Sequence, residues 1–348
     1  MRPRRPRVPY VLLAAAIAGS LAAPASGAPR MLTTQGPIAS LAMQDSRVAV
    51  TAERASAACD RAMVWNPLAG GVVVVSDTSA SVTCPVERPN GGIGAVALAH
   101  RTVSWLTTFG GNTEQTTWLQ RASSADPGTE TTVAQATSNP ESGSGDSLAG
   151  LVGRNALTAF NRWSGPLAAP VNPRLRRVTA AGASAILSGP KALLAGATDG
   201  TTVVIPTADG TVALVSSAGA ILHLLDPAAP VRSVAINAGR VAVQQTGSVV
   251  ELYSVSSGAL VGTHPLRADS AAGIDLYRNV VVYRTYRGVR ALCVATGTDR
   301  RIATTPRAVI EAEIESPGVV YAYNALVSGQ FTGKAKRVPL AVVLGAVG

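Results

Sequence analysis

An all-β chain assembled from repeated four-strand units is what this sequence predicts, and three observations carry that reading. The 34 Gly and 22 Pro among 348 residues punctuate the chain too often for long helices, and Val- and Thr-rich runs fill the intervals. Hydrophobic residues reach 47% and charged residues only 14%, which excludes general disorder. The third observation is a repeat. Residues 210–219, 247–258 and 288–297 each set a β-rich run between two glycines, and the closing glycines Gly219, Gly258 and Gly297 are 39 residues apart each time. A period of about 40 with several short strands per unit fits a β-propeller blade, whose four-stranded sheet must bury both faces against its neighbours.

The chain opens on an export segment. A basic stretch ending at Arg7, an apolar run from Val11 to Ala23 and the small residues Ala25, Ser26, Gly27 and Ala28 follow the order of a secretory signal peptide. Residues 1–28 are therefore expected to be removed, leaving a propeller over 30–348 in the medium or at the exterior of the cell envelope. Arg4 and Arg5 form a twin-arginine pair, but Pro6, Pro9 and the missing follow-on pattern favour the general secretory route. The apolar run is too short to span a bilayer, and no Cys follows it to carry a lipid anchor.

The strands are laid out most clearly in the second half. One unit reads 231–236, 240–245, 249–255 and 259–265, with Gly239 and Gly258 at turns. The same layout fits 273–277, 280–286, 289–295 and 301–305, and also 192–197, 202–206, 211–216 and 220–225. In the first half, 38–43, 47–52, 62–66 and 71–76 make one unit, and 93–99, 102–108, 115–121 and 130–136 another. The Ser/Gly/Pro/Asn tract 137–145 then reads as a solvated loop. A third unit starts near Ser147, runs through 156–163 and resumes at Leu175 after the Pro-rich loop 164–173.

Unit starts near residues 38, 93, 147, 191, 231, 273 and 309 give seven units. The last holds only three strands, 308–315, 319–324 and 335–343. Residues 30–35 are a spare strand at the other end, so the expected fold is a seven-bladed propeller closed by its N-terminal strand, which covers an otherwise open edge.

The units at 210–225, 247–265 and 288–305, each a strand pair turning at Ala-Gly, Ser-Gly or Thr-Gly, resemble the loose repeats of secreted bacterial WD40-like and quinoprotein-like propellers. That resemblance implies a β-propeller that serves as a protein-binding scaffold. No unit has the Trp-Asp dipeptide of WD40 repeats. Nor does a Trp follow the turns as quinoprotein repeats would require: four residues past Gly219, Gly258 and Gly297 stand His223, Gly262 and Arg301. No quinone, and no other cofactor, is expected.

Charge and cysteine narrow the partners. The formal charge is +10, and without Arg2, Arg4, Arg5 and Arg7 it is +6 over about 320 residues, a weak footprint for nucleic acid. Lys191, Lys334 and Lys336 are the only lysines, the codon usage of a GC-rich bacterial genome. In an oxidising compartment Cys59 and Cys84 are disulfide candidates, while Cys293 lies inside an alternating strand as a small buried hydrophobe.

No catalytic constellation stands out. Residues 145–148 spell Gly-Asp-Ser-Leu, a hydrolase nucleophile motif, but none of His100, His223 and His264 has Asp three residues before it. The three histidines have no second ligand at zinc spacing, and no phosphate-binding glycine pattern precedes a helix. Two charge arrangements remain. Glu311, Glu313 and Glu315 alternate with Ile310, Ala312 and Ile314, so they project from one face of an inner strand near the channel. They are expected either to pair with arginines of the neighbouring blade or to hold a cation or cationic ligand. Arg284, Tyr286, Arg287 and Arg290 form the second arrangement, in a stretch where six arginines between Arg278 and Arg301 face only Asp299. Arg and Tyr are enriched at interfaces, so these four are partner-binding candidates at the rim.

The expected function is accordingly an exported, monomeric, non-enzymatic scaffold for a protein or an anionic wall polymer. An extracellular propeller enzyme acting on carbohydrate or a lactone, using Glu311 and Glu313, and a structural component of the envelope are the alternatives.

Overall fold

A computed structural model describes residues 31–53, 60–76, 92–192 and 194–348. The expected signal segment and the candidate disulfide Cys59–Cys84 lie outside the described residues. Among those residues the chain forms 28 strands, one 3₁₀ turn at Pro190–Ala192 and one helix at Leu340–Val347. Among the described residues no helix is long and apolar enough to cross a membrane.

The strands pair almost entirely with their sequence neighbours, antiparallel, in five four-stranded sheets and one eight-stranded sheet. The exception joins the two ends of the chain. Met31–Thr33 pairs with the strand Gln330–Pro339 in the register Met31 with Lys336, Leu32 with Ala335 and Thr33 with Lys334, and so takes the outer position in the last sheet. Each unit begins with a strand that faces a common centre: Ile38–Gln44, Gly92–Ala99, Ser144–Arg154, Ala197–Thr198, Val231–Asn237, Ser270–Tyr277 and Val309–Glu315. These contact one another in chain order, and the last contacts the first.

The cores lie between the sheets. Val204, Leu214, Ile236 and Val243 form a cluster shared by the fourth and fifth units, and Ala235, Leu252, Leu276 and Tyr283 one shared by the fifth and sixth. Strands buried on both faces explain the near-continuous apolar runs of the sequence, such as Val280 to Tyr283, where simple alternation would suffice for a half-exposed sheet.

Several expectations change. Residues 137–139 and 144–145 are strand: the ends of Asp126–Asn139 and Ser144–Arg154 pair at Asn139 with Ser144 and Ser138 with Gly145 across a tight turn, where Gly143 and Gly145 take positive φ and let the chain reverse at once. Those two strands fuse the second and third units into the eight-stranded sheet. In the fourth unit the expected strand 192–197 shrinks to Ala197–Thr198 after the 3₁₀ turn. The tail beyond Pro339 is helical, and its Val343 and Val347 fill an apolar gap beside Val289, Val319 and Tyr321.

A polar repeat runs beneath the apolar one. The fifth residue of the second strand is Thr51, Asn161, Gln244 and Arg284 in the first, third, fifth and sixth units. Each reaches the segment that opens the following unit. Thr51 Oγ1 donates to the Gly94 carbonyl at 2.7 Å, and Gln244 Nε2 to that of Ala271 at 2.9 Å. Asn161 donates to the Ala192 carbonyl and accepts from the Ala195 N–H at 2.6 Å. Arg284 Nη1 donates to the Val309 carbonyl at 3.2 Å. The seam between last and first units has a two-way version: Asn324 accepts from the Ile38 N–H at 2.8 Å and donates to its carbonyl at 3.1 Å. Inner strands leave backbone groups facing the centre, and such groups need partners when removed from water.

Candidate functional site

The first strands of the units contribute to the wall of one central cavity of about 460 Å³. Its charged lining is Glu311, Glu313 and Asp275 together with Arg154, Arg232 and Arg284. The alternation of 309–315 places Glu311 and Glu313 there as the sequence predicts, and sequence reasoning missed Asp275, Arg154 and Arg232. The only available signal was that each sits on the first strand of its unit.

The carboxylates do specific work on the neighbouring backbone. Glu311 accepts from the Ser40 hydroxyl at 3.1 Å and from the Leu41 N–H, and Glu313 accepts from the Met43 N–H. Asp275 accepts from the Ile314 N–H at 2.7 Å. Carboxylates of the sixth and seventh units thus stitch the inward edges of the seventh and first, answering donors that no strand pairs. Glu315 behaves differently. It forms an ion pair with Arg154 of the third unit, the far side of the cavity from its own. Next to that bridge, Gln44 accepts from the His100 N–H at 2.8 Å and the Asn155 N–H at 3.1 Å, so one mouth is crossed by polar contacts between distant units. For Glu315 the arginine partner comes from across the ring, whereas Glu311 feels the charge of Arg284 in the neighbouring unit, as expected.

Burial shapes the acidity. Although partly open to the cavity, these carboxyls are ringed by protein, which pushes Glu311 up to about 7 despite the hydrogen bonds from Leu41 and Ser40 and the Arg284 charge. Glu313 is raised by burial and then by the charges of Asp275 and Glu311. Burial also raises Asp275 against the opposing pull of Arg154. An acid raised in the folded state stabilises the fold fully below its unfolded value and loses that contribution as pH rises through the folded one. Stability should therefore fall between about pH 4.5 and 7, with Glu311 accounting for at most roughly 3 kcal/mol. Thermal melts should show a higher Tm at pH 5 than at pH 8. Glu311→Gln, which keeps the acceptor for Leu41, should flatten that slope.

The rim candidates separate. Tyr286 is 66% exposed and Arg287 is exposed beside it, its guanidinium 5.6 Å from the Tyr286 ring centroid. Arg284 points the other way, into the cavity wall, where it donates to the Ala272 and Val309 carbonyls while its buried Nε has no acceptor. Gly273 makes room for it, since a Cβ there would lie 2.5 Å from Arg284 Nε. Arg290 is folded onto its own sheet, donating to Asp299 at 3.0 Å and to the Tyr283 hydroxyl at 3.1 Å. Shared sequence neighbourhood thus leaves Tyr286 and Arg287 together at the turn and draws Arg284 and Arg290 into structural bonds.

The remaining residues of chemical interest stay apart. His100 lies at the turn between Gly92–Ala99 and Thr102–Gly110, and His223 and His264 belong to two other sheets. Ser147 lies within the strand Ser144–Arg154 opposite Trp163, and Asp146 is bound by Arg162 and Ser164. Cys293 is a half-buried free thiol. Among the described residues no cluster of His, Cys, Asp or Glu has the makings of a metal site.

No family model and no curated protein matches this sequence. Solved structures do match. The WD40 β-propeller domain of Doa1 is 13% identical with a TM-score of 0.54, covering 88% of this chain and 96% of that one. A chain of the mitotic checkpoint complex is 14% identical with a TM-score of 0.53, covering 95% and 99%. Sqt1 of Saccharomyces cerevisiae is 10% identical with a TM-score of 0.50, covering 89% and 98%. The chain therefore has a WD40-like β-propeller fold.

Proposed function

We propose that this protein is an exported, non-enzymatic binding scaffold: a propeller of seven blades, the seventh completed by Met31–Thr33, that engages a protein or an anionic polymer outside the cytoplasm. The observation that carries the reading is the exposed Tyr286–Arg287 pair on a WD40-like fold. An aromatic ring and a guanidinium held at a turn combine contact area with directional donors, the composition of interface hot spots. The basic, apolar and small-residue order of residues 1–28 supports export. The alternative of a carbohydrate- or lactone-active enzyme has Glu311 and Glu313 together in the cavity, but both are engaged by the backbone of the first unit.

The test uses the chain purified from culture medium, captured with its binding partner at low and at physiological salt. Tyr286→Ser combined with Arg287→Ser should weaken capture by about tenfold or more, the scale of losing a hot-spot residue. The melting temperature should not move, since both side chains are exposed. Salt should weaken binding as it screens Arg287. Equal capture by the double variant would sink this surface as the contact.

A further inference from the structure

A second cationic surface lies on the third blade, built by strand register. In the pairing of Leu157–Ser164 with Val171–Thr179, Arg162 stands directly opposite Arg174, and Arg176, two residues along the same face, stands opposite Phe160. Directly opposed side chains have Cβ atoms about 5 Å apart and diagonal ones about 7–8 Å. Three guanidiniums therefore share one patch, and Arg176 is correspondingly easier to deprotonate, through burial and then through the charges of Arg162 and Arg174. Its inner border is apolar, made by Leu148 and Phe160.

Like charges opposed across a sheet repel unless an anion answers them. The carboxylate that faces them is Asp146, and it is already engaged. It receives Arg162 through Nε at 3.0 Å and Nη2 at 2.5 Å, and it also accepts from Ser164. The Arg174 side chain is exposed and makes no hydrogen bond or close ion pair within the described residues, its charge reaching Asp146 only at longer range. Arg176 donates to the Ala183 carbonyl at 3.0 Å, which leaves its buried Nε–H without an acceptor. Two positive charges are thus unmatched, and one guanidinium donor is buried without a partner. A tetrahedral oxyanion has the charge and the acceptor geometry that forked guanidiniums recognise.

We propose that Arg162, Arg174 and Arg176 form a binding site for a phosphate or sulfate ester group. Arg174 and Arg176 supply the free charge, and Asp146 holds Arg162 in place at the edge. The site stands on different residues from the Tyr286–Arg287 rim and does not depend on it.

The test titrates the mature chain with inorganic phosphate and, separately, inorganic sulfate at constant ionic strength, read by calorimetry. Saturable binding is expected, and the anion bound more tightly identifies the ester class. Arg174→Gln, an exposed change that spares folding, should weaken it by about tenfold, the scale of one charge-assisted hydrogen bond. Asp146→Asn keeps an acceptor for Arg162 and Ser164 but removes the competing charge, so it should tighten binding several-fold. Arg287→Ser should leave the affinity unchanged. Absence of saturable binding for both anions, or an Arg174→Gln variant that binds as the unaltered chain does, would overturn the assignment.

Discussion

A chain that lacks residues 31–36 is expected to melt roughly 10 °C or more below the chain that keeps them and to aggregate on heating. Leu32 is buried among Val320, Ala322 and Ala335, and burying a leucine contributes about 2 kcal/mol. The segment also exchanges backbone bonds with the last sheet, Thr34 N–H to the Gly333 carbonyl and Gly333 N–H to the Gly36 carbonyl, both at 3.0 Å. Each such bond contributes about 1 kcal/mol net, so the total loss is on the order of 4–5 kcal/mol. At roughly 2–4 °C per kcal/mol for a large domain, that gives the stated shift. The approach is too close for a side chain at Gly333, whose Cβ would fall 2.3 Å from Thr34 Oγ1. Deletion would also bare the edge of Gln330–Pro339, an open strand that other chains can extend. Scanning calorimetry with light scattering would check both effects. Leu32→Asp, which places an unpaired charge in the same cluster, should produce a similar loss of stability without shortening the chain.

Asn161→Ala is expected to destabilise the protein by about 3 kcal/mol, the largest effect of any single polar truncation at the seams between sheets. Asn161 is fully buried, donates to the Ala192 carbonyl and accepts from the Ala195 N–H. Truncation leaves two backbone groups without partners away from water, each costing about 1–3 kcal/mol. Gly150 belongs to the same device. It sits at φ +59°, and a Cβ there would lie 2.3 Å from Asn161 Oδ1 and 2.8 Å from the Ala195 nitrogen. Urea unfolding should show a lower midpoint for Asn161→Ala at an unchanged slope, whereas Gln244→Ala, whose hydroxyl neighbour Ser233 also bonds Gly273 N–H at 3.1 Å, should lose less.

Much of the architecture was legible along the chain. The 39-residue spacing of Gly219, Gly258 and Gly297 located the last units, where the observed strands Val231–Asn237, Arg240–Gln245, Val249–Ser254 and Leu260–Pro265 lie within two residues of those expected. Those strands were readable because hydrophobic pattern and turn chemistry are local and act over a few residues. The fourth unit's first strand and the helix Leu340–Val347 were misread for a related reason: short apolar runs carry no period that tells a strand from a packed tail, and the neighbours decide.

Sequence by itself determined the repeat, the all-β class and the face on which Glu311 and Glu313 project, since alternation fixes which side of a strand a residue takes. Only the tertiary structure decided what those groups meet. Glu315 finds Arg154 across the cavity, Arg284 turns into its wall while Tyr286 and Arg287 stay at the turn, and Arg162, Arg174 and Arg176 converge through strand register. Each of those partnerships joins residues whose separation along the chain says nothing of their distance in space. Partners are set by which strand lies opposite and which sheet lies next, and a desolvated charge or backbone donor then takes whatever group the fold brings within reach.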